Sequence, residues 1–541
     1  MSRHQIATRC LTAAALLPVL VLTSGPQPAA RSAQTAADAA VAPPPSFTDP
    51  ARRTKLATAF ADIDGIFTEF TKRSNVPGTA WGIVIDGELV HTGVSGLRDA
   101  ASGAAVERDT VFRIASMTKS FTAMAILKLR DDGKLSLEEP AEKYVPELKA
   151  LRYPTADSRR ITIRDLLSHA EGFPEDNAWG DRHLADSQDA FSKMMRSGIP
   201  FSNTPGVAYE YSNYGFAILG RIVAQASGQP YNDYVARAIL QPLGMSSTTF
   251  EPSAVPSAKL ALGHKWQDGK WAPEPLLADG AFGAMGGMLT TVPDLAKYVA
   301  MLLDAWPPRD QRETGPVRRS SLREMQQVAR PAPATVTRDA KGTVSLNTGG
   351  YGFGLRVSQT CAFGHVVAHS GGLPGFGSQM RWLPEYGVGV IAYGNLTYTG
   401  WNGPVNAAFD RLAQTGGLQP RTVLPAPVLV SARDIVSGLV NRWDDQQIDR
   451  IAADNLYLDR PRELRKADME ELRTKVGTCA APSSFDYVEN GLRGEWMLRC
   501  ERGDIRAAIT LAPTMPARVQ TIQLRPVPSG TAPTTRRTCP D

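Results

Sequence analysis

Long apolar runs are scarce in this 541-residue chain, and that scarcity sets the first limit on what it can be. A helix that spans a membrane needs about 20 consecutive apolar residues. The best candidate, Leu11 to Leu22, is shorter and follows Arg3 and Arg9. Ser24, Gly25 and the small-residue stretch Pro28-Ala29-Ala30 come next, the pattern of an export signal that is removed. The expectation is a signal peptide over residues 1–32, a periplasmic or secreted mature protein, and no stable membrane insertion. Cys10 precedes the apolar run, so it is wrongly placed to be a lipidated first residue.

An excess of one charge is lacking too. Fifty-nine Lys and Arg stand against 54 Asp and Glu, a net +5 that falls to +2 without Arg3, Arg9 and Arg31 of the acid-free leader. So small an excess gives no reason to invoke nucleic acid or anionic membranes. Cysteine is sparse: Cys361, Cys479, Cys500 and Cys539 remain after cleavage, and none has metal-ligand spacing to another or to a histidine. No metal and no other cofactor is expected. An oxidising compartment permits disulfides, with Cys479 and Cys500, at the two ends of a hairpin pattern, as the best pair. For Cys361 the role of a small buried hydrophobe stays open.

What is present is ordinary globular composition, 43% hydrophobic and 21% charged, in a chain long enough for two folded units. Residues 33–55 read as a flexible spacer. A first folded unit follows over 56–415, then a linker over 416–430 marked by Pro420, Pro425 and Pro427. A small α+β domain over 431–525 and a disordered tail over 526–541 complete the reading. Leu56, Phe60, Ile63, Phe67 and Phe70 recur at helical spacing. Asp86-Gly87 between two β-prone runs predicts a hairpin, because both turn positions tolerate positive φ. Helical patterns cover Ser116 to Leu129, Tyr214 to Ala226 and Asp294 to Leu303, and Thr162 with Asp165 predicts a capping box. Strand patterns return at Tyr351–Val357, His365–Ser370, Phe376–Leu383 and Gly387–Tyr393. In the second unit Ala432–Ala452 and Arg462–Lys475 read as helices. Four strand patterns follow from Phe485 to Leu524, with Trp443, Tyr457 and Trp496 as core residues. The whole is an α/β arrangement with an inserted helical region.

Three motifs carry chemistry. In Ser116-Met117-Thr118-Lys119 the i, i+3 spacing lets the lysine amine reach the serine hydroxyl. The serine opens a helix, where unpaired N–H groups favour developing negative charge. A lysine on an otherwise apolar helix needs a partner or a lowered pKa. Tyr211-Ser212-Asn213 offers a phenol that can relay a proton and an amide that can orient a carbonyl. His369-Ser370-Gly371-Gly372 ends a strand whose glycines allow a substrate backbone to approach, and the Gly372 N–H could complete an oxyanion hole with that of Ser116.

In this order the three motifs resemble those of class C serine β-lactamases. They equally resemble D-alanyl-D-alanine carboxypeptidases and the related esterases and D-aminopeptidases. The likeness spans about Leu56 to Leu412 and includes Thr162 to His169, Pro205-Gly206 to Gly220, Gly286-Gly287-Met288-Leu289 and Gly371 to Phe376. It implies a β-lactamase/transpeptidase-like fold, mainly an antiparallel sheet flanked by helices, with the small C-terminal domain outside it. It also implies Ser116 as nucleophile, Lys119 as general base, Tyr211 as proton relay, and Asn213, His369, Ser370, Gly371 and Gly372 around the substrate. His369 stands where class C lactamases carry lysine. That motif therefore lacks a permanent cation for a substrate carboxylate, which gives weight to peptidase or esterase action on a small molecule or peptide. The alternatives are a class C-like β-lactamase and a non-catalytic sensor of cell-wall peptides.

Overall fold

The structure, a computed structural model, describes residues 35, 38–338, 344–482 and 484–533. The expected signal peptide and residues 534–541 of the expected tail lie outside these. The Asp86-Gly87 signal is realised as a hairpin between β1 (Gly78–Ile85) and β2 (Glu88–Asp99), with φ of 52° and 81° at the two turn residues. All of β1 is buried, so its alternating side chains feed two cores. Ala80 and Val84 enter one, while Trp81, Ile83 and Ile85 enter the other.

Seven more strands extend this hairpin. They are β3 (Ala104–Ala105), β4 (Arg330–Arg338), β5 (Val344–Tyr351), β6 (Arg356–Thr360), β7 (Val366–Leu373), β8 (Phe376–Leu383) and β9 (Val388–Gly394). The strands run antiparallel in the order β3-β2-β1-β9-β8-β7-β6-β5-β4, and β1 pairs with β9 so that Thr79 faces Gly394. Five helices matter here: α1 (Phe60–Arg73), α2 (Thr118–Asp131), α3 (Asn213–Ser227), α4 (Val292–Asp304) and α5 (Asn402–Gln414). α1 and α5 cover one face, where Phe67 stacks on Trp81 with ring centres 5.2 Å apart and lies 6.1 Å from Trp401. α2, α3 and α4 fill the core on the other face. The expected antiparallel sheet flanked by helices is present, and the Thr162–Asp165 capping box opens the short helix Ile163–Leu167.

Two strands of this sheet differ from the sequence reading. The expected strand Tyr351–Val357 straddles a turn, with β5 ending at Tyr351 and β6 starting at Arg356. Gly354 in that turn has φ of 66°, and a Cβ on it would sit 2.6 Å from the Lys119 carbonyl oxygen, so the turn presses on the backbone of α2. β4 has no counterpart in the reading, because Pro331 and Pro333 argue against a strand. As an edge strand it can hold both.

The second unit comprises the described residues up to Pro43 and from Val423. It contains α6 (Pro427–Asn441), α7 (Arg462–Val476) and an antiparallel sheet in the order β10 (Tyr487–Asn490), β11 (Arg493–Cys500), β12 (Gly503–Leu511), β13 (Val519–Val527). The expected helix Ala432–Ala452 is broken: α6 ends at Asn441 and a separate short helix covers Asp445–Ile451. α6 also starts inside the expected linker, with Pro427 in its first turn, where a missing N–H costs nothing. β13 likewise runs on into the first residues of the expected tail. Trp496 is buried and its Nε1 donates to Ser437 Oγ at 3.0 Å, while Trp443 and Tyr457 are partly buried against a neighbouring cluster. Cys479 and Cys500 form a disulfide, and Cys361 is disulfide-bonded as well. Each unit has its own apolar core. Residues 44–422 expressed alone are therefore expected to melt cooperatively and to react at Ser116. Insoluble or unreactive protein from that truncation would refute it.

Candidate active site

Ser116 is the middle residue of a single 3₁₀ turn, Ala115–Met117, that leads directly into α2. Ala115 takes a φ of 48°, a left-handed conformation that a residue with a side chain avoids. The serine is therefore presented on a tight turn held by the surrounding structure. One helical turn on, Lys119 is fully buried. Its Nζ stands 3.1 Å from Ser116 Oγ, 2.6 Å from Asn213 Oδ1 and 2.8 Å from the Met285 carbonyl oxygen. Burial pulls the ammonium well below an ordinary lysine, to about 7, against the opposing fields of Asp181 and Asp176. A neutral amine has two N–H bonds. With both directed at Asn213 and Met285, its lone pair is left to face the Ser116 hydroxyl.

Tyr211 reaches this pair from the loop before α3, and Asn213 from the first residue of that helix. The junction is fixed at successive residues: His169 Nδ1 accepts from the Ser212 N–H at 3.1 Å, and Asp176 accepts from the N–H groups of Asn213 and Tyr214 at 2.6 and 2.8 Å. The His169 ring also lies 4.3 Å from the Tyr211 ring, centre to centre. The Tyr211 hydroxyl faces that of Ser116, and the Lys119 Nζ is 4.9 Å from the Tyr211 ring centre. Burial raises the Tyr211 pKa, with Ser116 and Arg356 opposing. The phenol is therefore neutral at rest and can pass a proton on, whereas Lys119 is the group able to take one.

β7 passes the entrance to α2. A Cβ on Gly371 would fall 2.1 Å from the Ile114 carbonyl oxygen, so only glycine lets this strand run so close to the turn that carries Ser116. Ser370 is exposed and Gly372 half-buried. His369 differs from the expectation. It is buried, and since only a donor can meet the Ser370 carbonyl, its Nδ1–H donates there at 2.6 Å. Nε2 then accepts from the Tyr351 hydroxyl at 2.8 Å. Burial and the nearby Lys119 and Arg356 pull its pKa down to about 3, so the ring is neutral. No ring nitrogen is free for a substrate, and the expected direct contact gives way to holding Tyr351.

Sequence reasoning missed a cation that the β5–β6 turn brings here. Arg356 is exposed, its guanidinium carbon 5.9 Å from the Tyr211 ring centre. The hydroxyls of Tyr209, Tyr351 and Tyr211 act on it. No local signal separates Arg356 from the other arginines. Only the pairing of β6 with β7, Arg356 opposite Ala368, brings it to the site. Among the described residues no group of three His, Cys, Asp or Glu could hold a metal ion, and no helix is long and apolar enough to cross a membrane.

An antiparallel sheet between helical layers, with a Ser-x-x-Lys pair at the start of a buried helix, defines a β-lactamase/transpeptidase-like fold. The chain belongs to the Beta-lactamase family, whose members are serine hydrolases; the family model matches residues 63–415. Among curated proteins, protein flp of Staphylococcus aureus (strain COL) is 27% identical over 340 residues, 62% of each chain. Penicillin-binding protein 4 of Amycolatopsis lactamdurans is 31% identical over 246 residues, 44% of this chain and 62% of that one. The chain thus spans about three fifths of the length of these relatives. An octameric penicillin-binding protein homologue from Pyrococcus abyssi shares the fold at 22% identity and a TM-score of 0.57, covering 86% of this chain and 97% of that one. A D-stereospecific amidohydrolase from a Streptomyces species superposes with a TM-score of 0.50 at 25% identity, covering 64% of this chain and 98% of that one.

Proposed function

We propose that the protein is an exported hydrolase that forms an acyl-enzyme on Ser116, acting on amides or esters that carry a carboxylate, as D-alanyl-D-alanine carboxypeptidases and D-aminopeptidases do. The observation that carries this reading is the buried Lys119 Nζ at 3.1 Å from Ser116 Oγ, with its other two polar neighbours both acceptors. As Ser116 Oγ attacks the carbonyl carbon, its proton passes to the Lys119 lone pair. The oxyanion rests on the N–H groups of Ser116 and Gly372. The proton then travels from Lys119 through the Tyr211 phenol to the leaving group, whose bond to the carbonyl breaks. Water repeats the sequence in reverse roles: it gives its proton to the same relay, attacks the acyl carbon and returns Ser116. Arg356 supplies the cation absent from the third motif, and its bidentate fork suits a carboxylate. The D-stereospecific amidohydrolase among the structural neighbours is consistent with this chemistry.

The test is covalent labelling by a fluorophosphonate or a penicillin, followed by peptide mass mapping. An adduct on Ser116 is expected. Its rate should rise with pH and reach half its maximum near pH 7, because Lys119 is charged below that value and neutral above it. A chain that stays unlabelled at every pH would overturn the hydrolase reading in favour of a sensor that only binds cell-wall peptides.

A further inference from the structure

Beside the nucleophile lies a buried carboxylate that the steps above leave unused. Asp181, at the end of the short helix Asn177–Gly180, is 2% exposed. Gly180, next to it, lies so close to Asn213 that a Cβ there would sit 2.9 Å from the Asn213 Cβ. Asp181 Oδ2 accepts from the Tyr398 hydroxyl at 3.0 Å, while Oδ1 has no partner among the described residues. Tyr398 comes from the opposite side, in the loop after β9. Its φ is 53°, its N–H donates to the Phe376 carbonyl at 3.1 Å, and its ring would meet a Cβ on Gly372 at 2.8 Å. A strained, half-exposed tyrosine thus leaves the sheet, passes over Gly372 and clasps a carboxylate on the helical side.

We propose, resting on the acyl-enzyme reading, that Asp181 is a positioning residue whose carboxylate, held in place by Tyr398, is the counter-charge that decides when Lys119 gives up its proton. The groups around the pair support this. Lys119 on α2 faces the carboxylates of Asp181 and Asp176, while the His169 and His369 rings that also face it are held neutral. Asp181 in turn faces Lys119, Tyr398, Asp176 and Glu175, and beyond Tyr398 stand Arg182 and Glu274. Burial raises the Asp181 pKa while Lys119 and the Tyr398 hydrogen bond oppose the rise. Asp176 already accepts two backbone N–H groups. Asp181, with one oxygen unengaged, has its charge free to act on the lysine.

The sign of the effect follows. A carboxylate favours the charged lysine, so removing it lets Lys119 lose its proton at lower pH. Asp181→Asn keeps the shape and can still accept from Tyr398, but has no charge. It is expected to move the half-maximal pH of Ser116 labelling down by about one unit, a tenfold change in proton affinity, with the high-pH rate little changed. Tyr398→Phe, at an exposed position, removes the bond that steadies the charged carboxylate and should shift the same limb in the same direction by less. Titration of Lys119 by ¹⁵N-lysine NMR reads the coupling without any activity. Unlabelled wild-type protein would sink the hydrolase reading alone. A Lys119 titration and labelling limb unmoved in both variants would overturn the role of Asp181 and leave that reading intact.

Discussion

Ser116→Ala and Lys119→Ala are each expected to lower turnover by roughly ten-thousand-fold, and the double variant to be scarcely worse than either. The reason is the single contact through which both act. Without the lysine lone pair the serine proton has nowhere to go, since the buried Tyr211 keeps its own proton. Without the serine there is no proton to take. Steady-state kcat/KM for a nitrophenyl ester across the three variants measures this. Losses that add in the double variant would mean that Ser116 and Lys119 work separately, and would contradict a nucleophile–base unit. Lys119→Ala also leaves Asn213 Oδ1 and the Met285 carbonyl without their shared donor. Thermal melts should therefore accompany the kinetics.

Arg356→Ala should separate substrates by charge. Losing a charge-assisted hydrogen bond costs about 1.5–3 kcal/mol, a drop of roughly ten- to a hundredfold in kcat/KM at 1.4 kcal/mol per decade. That loss is expected for a D-Ala-D-Ala peptide with a free C-terminus and not for the same peptide amidated. Equal losses on both peptides would remove Arg356 from substrate recognition. The specificity question shifts accordingly. On the sequence alone, His369 in place of lysine points away from carboxylate-bearing substrates. In the folded chain that histidine is sealed against Tyr351 and Ser370, and a guanidinium from the neighbouring strand stands near Tyr211 instead.

That contrast marks how far the chain can be read without its fold. Ser116 and Lys119 lie three apart on one helix, Thr162 and Asp165 three apart at one helix start, and Asp86-Gly87 in one turn. Each is a relation between neighbours, and local stereochemistry makes it visible. Arg356, Asp176, Asp181 and Tyr398 meet the site through contacts between distant segments, and nothing in their immediate surroundings marks them. The β5–β6 turn failed to show for a related reason. Its residues suit a continuous strand, and the break is imposed where Gly354 packs on the Lys119 backbone. The early start of α6 at Pro427 has a different cause: proline reads as punctuation, yet at a first helical turn it is compatible with the helix.

The pairing of β1 with β9 has a consequence in time rather than in space. Thr79 finds Gly394 only after roughly three hundred further residues have been made, and contacts so remote in sequence form slowly. Until then one edge of β1, apolar on both faces, has no strand to bond. A chain emerging from the ribosome therefore cannot close its sheet before its last strand appears. During synthesis that edge of β1 stays unpaired until β9 has been made.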